Sequence, residues 1–197
     1  MILGVLMSLA VQIITIDSPL QYVLKTKTEE LKNDELPQAQ EIIEKLISAL
    51  TPYFPAAGLA APQIGISKSV FIFSFDRDPR NLEGVVNPRF TPNGEAKVEG
   101  WEGCLSTILC EHSLKIAKIP RYETIQVEYL NAKGERIEKI LDGFAAKAFQ
   151  HEYDHLQGIV NIYRDDAIVK EFSSKEEMQD FMQRVKKEDS LRYKRPN

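Results

Sequence analysis

The clearest hydrophobic periodicity lies over residues 38–50, where Ile42, Leu46, Ala49 and Leu50 recur at helical spacing among polar neighbours. That pattern predicts an amphipathic helix. Residues 70–75 form a short, almost continuous apolar run and predict a buried strand. Over 124–129 apolar and polar side chains alternate, Asn131-Ala132-Lys133-Gly134 carries turn chemistry, and 136–141 resumes the alternation, so a hairpin is expected there. Residues 11–15, 85–87 and 97–99 read as further short strands, and 76–84 as a polar loop. The stretch 144–150 is rich in helix formers, with Asp142 placed to cap its start and Gly158 placed to stop its end. A charged helix is expected over 173–187, with Met178, Phe181, Met182 and Val185 as its one apolar stripe, read as a packing face. Several strands followed by one central helix predict an α+β fold, with mixed or antiparallel strands around that helix.

Composition keeps the picture simple. A chain of 197 residues with 43% hydrophobic and 27% charged residues has enough material for one proper core. No repeat, low-complexity tract or linker divides it, so residues 1–197 are expected to form a single domain, with 173–197 as a C-terminal helix and polar tail. The net charge of −4 argues against general nucleic-acid binding, and no DNA partner is expected. Two cysteines in a chain this long do not make a disulfide scaffold, which fits a reducing, cytoplasmic setting. The first 16 residues are uncharged, yet no Lys or Arg precedes Lys25, so the positive region of a signal peptide is missing. The apolar run is also too short to span a bilayer, which needs about 20 residues, so no membrane partner is expected. Met7 is a candidate start, with residues 1–6 as an extension.

The chemistry concentrates in His151-Glu152-Tyr153-Asp154-His155. Two histidines four apart share one helix face, so both imidazoles can reach one metal ion, and the glutamate beside them can work on a water at that ion. The chain has 3 histidines and spends two of them here. The third, His112, reads as a loop or surface residue. A metal site with hydrolytic chemistry needs a third protein ligand and an open position. The residues alone leave three candidates: Asn161, at a spacing where some peptidases place a third histidine; a downstream glutamate among Glu171, Glu176 and Glu177, in a segment read as an exposed helix; and the upstream Cys104. A thiolate suits zinc or ferrous iron. Cys110 reads as a buried small hydrophobe and Trp101 as a packing residue beside the site.

Glu102-Gly103-Cys104-Leu105-Ser106 and Gln150-His151-Glu152-Tyr153-Asp154-His155-Leu156, preceded by Gly58-Leu59-Ala60-Ala61-Pro62-Gln63, resemble the three signature motifs of the peptide deformylases, in the family's order. The resemblance spans roughly residues 8–165. It implies the family's α+β fold around a metal-binding helix and a single catalytic domain. It implies Cys104, His151 and His155 as metal ligands, Glu152 as general base and acid, and Gln63 with the backbone N–H of Leu105 as oxyanion donors. Gly58, Leu59, Gly103, Phe144 and Ala148 are expected to face substrate. The implied reaction is attack of a metal-bound water on the formyl carbon of formyl-methionine at the N-terminus of a new polypeptide, releasing formate. The expected cofactor is one divalent ion, Fe2+ first, with Zn2+, Ni2+ or Co2+ as substitutes. Family substrates emerge from the ribosome, so the partly basic stretch 186–197 is a candidate for a transient ribosome contact.

Two departures from the family pattern stand out. Ala56 occupies a position that is glycine in the motif. The segment 107–119 differs from the common form and is longer, and it is read as a divergent loop walling the substrate cleft. A different metallopeptidase using a downstream glutamate, and a non-catalytic peptide-binding relative, are the competing readings.

Overall fold

In a computed structural model that describes residues 11–111 and 113–192, two antiparallel sheets pack against one central helix. The first sheet has five strands in the order β1 (Gly58–Ala60), β2 (Val70–Ser74), β3 (Leu82–Pro92), β6 (Thr124–Leu130) and β7 (Arg136–Asp142). The second has three, β4 (Lys97–Gly103), β5 (Leu114–Tyr122) and β8 (Ile168–Phe172). The helices are α1 (Pro37–Leu50), the single turn α2 (Leu105–Ile108), the central α3 (Gly143–Leu156) and α4 (Lys175–Arg192). The α+β expectation holds.

Burial explains why these segments fold as they do. β2 is buried at every position, as its unbroken apolar run requires in a central strand covered on both faces. α1 buries Ile42, Ile43, Leu46, Ala49 and Leu50 against Leu59, Val70 and Ile72. α3 buries Ala146, Phe149 and Leu156 against Phe71, Phe73 and Val127. Phe149 meets Phe71 and Phe73 edge-on, with centroids 5.1 and 5.7 Å away. Asp142 occupies the N-cap position of α3. Gly158 ends the helix with φ +74°, while its N–H bonds His155 O at 3.1 Å and Ile159 N–H bonds Asp154 O at 2.9 Å. That pair of bonds is the Schellman closure a left-handed glycine permits.

The structure corrects several expectations. Residues 11–15 join no sheet: Ile14 N–H goes to Gln63 O at 2.8 Å and Ile16 N–H to Ser106 O at 3.0 Å. Their donors are spent on a tight turn and a helix, which offer no ladder. The loop expected over 107–119 is mostly regular structure, α2 followed by β5, because Leu114, Ile116, Ala117, Ile119 and Arg121 all point inward. Glu171 lies in β8 and not in an exposed helix. The strands at 85–87 and 97–99 extend to 11 and 7 residues, so the loop at 76–84 gives way to strand from Leu82. Along β3 the pairing shifts between Val86 and Arg89, where Asn87 takes φ +50°. The expectations for Met7, for His112 and for the end of the tail lie outside the described residues.

Candidate metal centre

Three distant segments converge on the single turn of α2 and the C-terminal half of α3. β4 ends in Glu102-Gly103-Cys104, and Cys104 is the N-cap of α2. β1 leads into a tight turn at Ala61–Ile64 that carries Gln63. α3 presents His151 and His155 from one face, as the four-residue spacing dictates. α3 is held in register by Gln150, whose amide donates to Tyr122 O at 2.9 Å and accepts from Tyr122 N–H at 3.0 Å.

The result is a donor set in which Cys104 and His155 are buried and His151 is partly buried. One ligand atom from each of Cys104, His151 and His155 lies within 4.8 Å of the others, with Cys104 Sγ 3.2 Å from His155 Nε2. Their spacing and their soft sulfur and nitrogen donors suit one divalent cation. Glu152 Oε2 is buried at this spot with no protein partner, as expected where a bound group completes the site; His155 Nδ1, on the ring edge away from Cys104 Sγ, is likewise buried without a protein partner. Gln63 is fixed beside it: its Oε1 accepts from Ala60 N–H at 2.9 Å, so its Nε2 must point inward, donating to Ser106 Oγ at 3.1 Å and Cys104 Sγ at 3.5 Å.

Behind the ligands runs a buried charge chain. His151 Nδ1 lies 2.8 Å from Glu102 Oε2. Glu102 takes a bidentate pair of bonds from Arg121, both 2.9 Å, and Arg121 reaches Asp154 at 2.6 Å. Arg164 also bonds Asp154, at 3.0 Å. Such a carboxylate fixes the orientation of a ligating imidazole and the nitrogen it presents.

Electrostatics follow from this arrangement. Burial pushes the Glu152 carboxyl up to about 7; the His151 charge works against that shift, and Glu102 adds to it. Burial, then the charges of His151 and Arg121, hold His155 well below the ordinary histidine value, so it is neutral and ready to ligate. For His151 burial pulls down, but bonds to Cys104 and Glu102 outweigh it and its pKa sits well above the usual value. A cation must therefore displace the His151 proton. Affinity is expected to rise with pH from below the ordinary histidine range to well above it, with proton release on binding. Calorimetry in two buffers of different ionisation enthalpy measures this, and a pH-independent affinity would contradict it.

A model of the polypeptide deformylase family matches residues 10–171. The chain belongs to that family. Peptide deformylase 2 of Ralstonia nicotianae is 37% identical over 133 residues, covering 64% of this chain and 72% of that protein. A peptide deformylase of Thermotoga petrophila is 38% identical over 125 residues, 64% of this chain and 71% of that one. Among solved structures, the peptide deformylase of Thermotoga maritima superposes with a TM-score of 0.66 at 32% identity, covering 78% of this chain and 95% of that one. A Met-Ala-Ser-bound class I type b peptide deformylase from Acinetobacter baumannii gives 0.68 at 28% identity, covering 80% and 100%. Peptide deformylases remove the N-formyl group from nascent peptides, and the chain is a hydrolase of this family.

Within this deformylase architecture the residues singled out by sequence divide cleanly. Cys104, His151, His155, Glu152 and Gln63 come together. Leu105 is the first residue of α2, beside Cys104. Gly103 is exposed next to them, Ala148 is buried one turn before His151 and two before His155, and Phe144 lies half-buried under the Arg77 guanidinium at 4.4 Å. The Leu59 side chain is wholly inside the core with Val70 and Ile72, so it does not offer the substrate-facing side chain expected of it. Ala56 does not share the positive φ that Arg77 and Asn87 show, so no glycine is required there. Gly58 is different: a Cβ there would lie 2.6 Å from Glu152 Oε1 and 2.7 Å from Ile72 O. Gly58→Ala is expected to cost about 1–3 kcal/mol of stability and to displace the Glu152 carboxylate. A melting curve together with formate release tests it, and unchanged values for both would refute the close approach.

The alternative ligands fall elsewhere. Asn161 is buried but donates to Glu102 O at 3.1 Å, and Glu171 bonds Ser113 Oγ at 2.9 Å. Glu177 accepts from Ser173 N–H at 3.0 Å. Cys110 is a buried free thiol donating to Ser106 O. Sequence reasoning missed Arg121, Asp154 and the supporting role of Glu102. The available signal was Arg121 on the inward-facing set of a strand, where an arginine demands buried acids.

Proposed function

We propose that the chain removes the formyl group from formyl-methionine at the N-terminus of newly made polypeptides, releasing formate. One observation carries the reading: Cys104, His151 and His155 within 4.8 Å of one another, with buried Glu152 at the same helix turn. Cys104, His151 and His155 would hold one divalent cation, Fe2+ first and Zn2+, Ni2+ or Co2+ as substitutes. When bound, such an ion supplies Lewis acidity that makes water nucleophilic near neutral pH.

The chain's own groups do the rest. Glu152 takes the proton of the attacking water and delivers it to the amine nitrogen as the C–N bond breaks. Its burial keeps it a usable base and, once protonated, a usable acid. The amide N–H of Gln63 and the backbone N–H of Leu105 donate to the oxygen that becomes anionic as water adds to the formyl carbon. Glu102, braced by Arg121, holds the His151 ring in place. Gly58, Gly103, Phe144 and Ala148 border the approach to this group. The Met-Ala-Ser peptide held by the Acinetobacter relative supports a substrate beginning with methionine. We also place the chain in the cytoplasm; no helix among the described residues is long and apolar enough to cross a membrane.

Formate release from a formyl-Met peptide, with the unformylated peptide watched for backbone cleavage, tests the reading. Cys104→Ser is expected to lose or alter the bound cation and to abolish release. Full metal stoichiometry and full activity in that variant would return the third ligand to a downstream residue.

A further inference from the structure

A cavity of about 380 Å3 is lined by Arg121, the buried partner of Glu102, and by residues that neighbour the donor set along β4 and α3. Three of its walls belong to elements that also hold the metal centre. β4 contributes Trp101, next to Glu102; β5 contributes Tyr122, next to Arg121; α3 contributes Phe144 and Lys147, within two turns of His151. Residues 75–77, after β2, form another wall, and the last is Met182 and Val185 of α4, beyond residue 171 where the family match ends. α4 is anchored there by Phe181, whose ring meets Trp101 edge-on at 5.1 Å and Phe172 at 5.4 Å, and by Met178, which is buried.

The lining sets the chemistry of the occupant. Gly100 lets Lys147 lie back against β4: a Cβ at Gly100 would sit 2.6 Å from Lys147 Nζ, which donates to Trp101 O at 2.8 Å. Arg121 is engaged by Glu102 and Asp154, and Arg77 stacks on Phe144. Of the acids in the lining, Asp76 is engaged by Asn81 at 2.7 Å and Glu99 by Lys118 at 2.6 Å, while Glu123 also lines the cavity; Trp101, Phe144, Met182 and Val185 form its apolar part. A slot of this size takes one large side chain with part of its backbone.

We propose that Met182 and Val185 of α4 are specificity-determining residues, forming one wall of the cavity that receives the apolar side chain of the formyl-bearing residue. The proposal rests on the deformylase reading given above. It places part of substrate selection in a helix outside the region this chain shares with the family model.

The test compares formyl-Met-Ala-Ser with formyl-Phe-Ala-Ser. Met182→Ala opens the wall and is expected to shift the ratio of kcat/KM about 10-fold toward the phenylalanyl peptide, through KM. Met182→Phe fills the slot and is expected to shift it the other way. A second readout needs no turnover. Trp101 is the chain's only tryptophan and lines the cavity, so its emission reports occupancy. Titration of metal-free protein with Met-Ala-Ser is expected to give a midpoint about 10-fold higher in Met182→Ala, the same shift read as affinity. Equal loss on both peptides with a lower melting temperature would make α4 a purely structural helix and overturn the proposal, as would unchanged ratios and an unchanged midpoint. If the native chain releases no formate from either peptide, the proposed function fails. The Trp101 titration then decides the wall alone: a shifted midpoint upholds it and an unshifted one overturns it.

Discussion

Glu152→Gln is expected to lower kcat for formate release by about 10²–10⁴-fold, the range typical of losing a positioned acid–base group. Cation stoichiometry should stay unchanged, because Glu152 is not one of the three ligand residues. The same substitution should stabilise the metal-free protein. Glu152 is buried, and its pKa rises from 4.5 to about 7 in the fold. A raised carboxyl binds its proton more tightly folded than unfolded. Its favourable contribution is therefore complete below pH 4.5 and is lost as pH rises through about 7. At pH 8 the folded protein carries a buried carboxylate that the glutamine variant lacks. The variant should then be more stable by on the order of 3 kcal/mol, with the difference vanishing near pH 4. Melting curves of metal-free protein across pH 4–8 measure it. A stability gap that does not grow with pH would mean Glu152 is not held in a dry site.

Glu102→Ala is expected to have the largest effect on stability. Glu102 and Arg121 are both almost fully buried and share a bidentate pair of bonds. Burial alone would push the Glu102 carboxyl up, but the charge and bonds of Arg121 hold it well below the usual carboxylate range. Removing one partner leaves a guanidinium in the interior with only Asp154 and a weak bond to Gln150 O at 3.5 Å. Breaking a buried pair of this kind costs about 3–5 kcal/mol. The His151 ring also loses the acceptor at its Nδ1, and losses of such support lower metal affinity by about 10–100-fold. The two effects separate experimentally. Glu102→Gln keeps an acceptor for His151 and should retain more cation affinity than stability. Melting temperatures with and without cation, together with a cation titration, would settle it. An unchanged affinity in Glu102→Ala would show that His151 is oriented by its own packing.

Legibility from sequence follows the range of the interactions. α1, β2, the β6–β7 hairpin and α3 were readable because their hydrophobic periods and caps are local. His151, Glu152 and His155 were readable for the same reason: helical geometry alone puts two imidazoles on one face. Cys104 was a different case. It touches His155 across 51 residues of sequence, and only the resemblance to a known family ranked it above Asn161 and the downstream glutamates. β5 and β8 were not read as strands at all. β5 has inward positions at Leu114, Ile116, Ala117, Ile119 and Arg121, a broken alternation that ends on a charged residue. That pattern makes sense only once Glu102 and Asp154 stand opposite. The stretch 11–15 failed in the opposite direction: its composition suits a strand, but its hydrogen bonds go to the turn at Gln63 and to Ser106.

The sequence by itself therefore determined the class of the fold and the helix that carries His151, Glu152 and His155 on adjoining positions, because these depend on local patterns. Only the tertiary structure decided the place of Cys104 beside the two histidines, the inward aim of the Gln63 amide, the charge chain behind His151 and the wall that α4 gives the cavity. Those features depend on which buried charges and apolar faces meet across the chain. A local pattern can state that Arg121 must be neutralised, but not by whom.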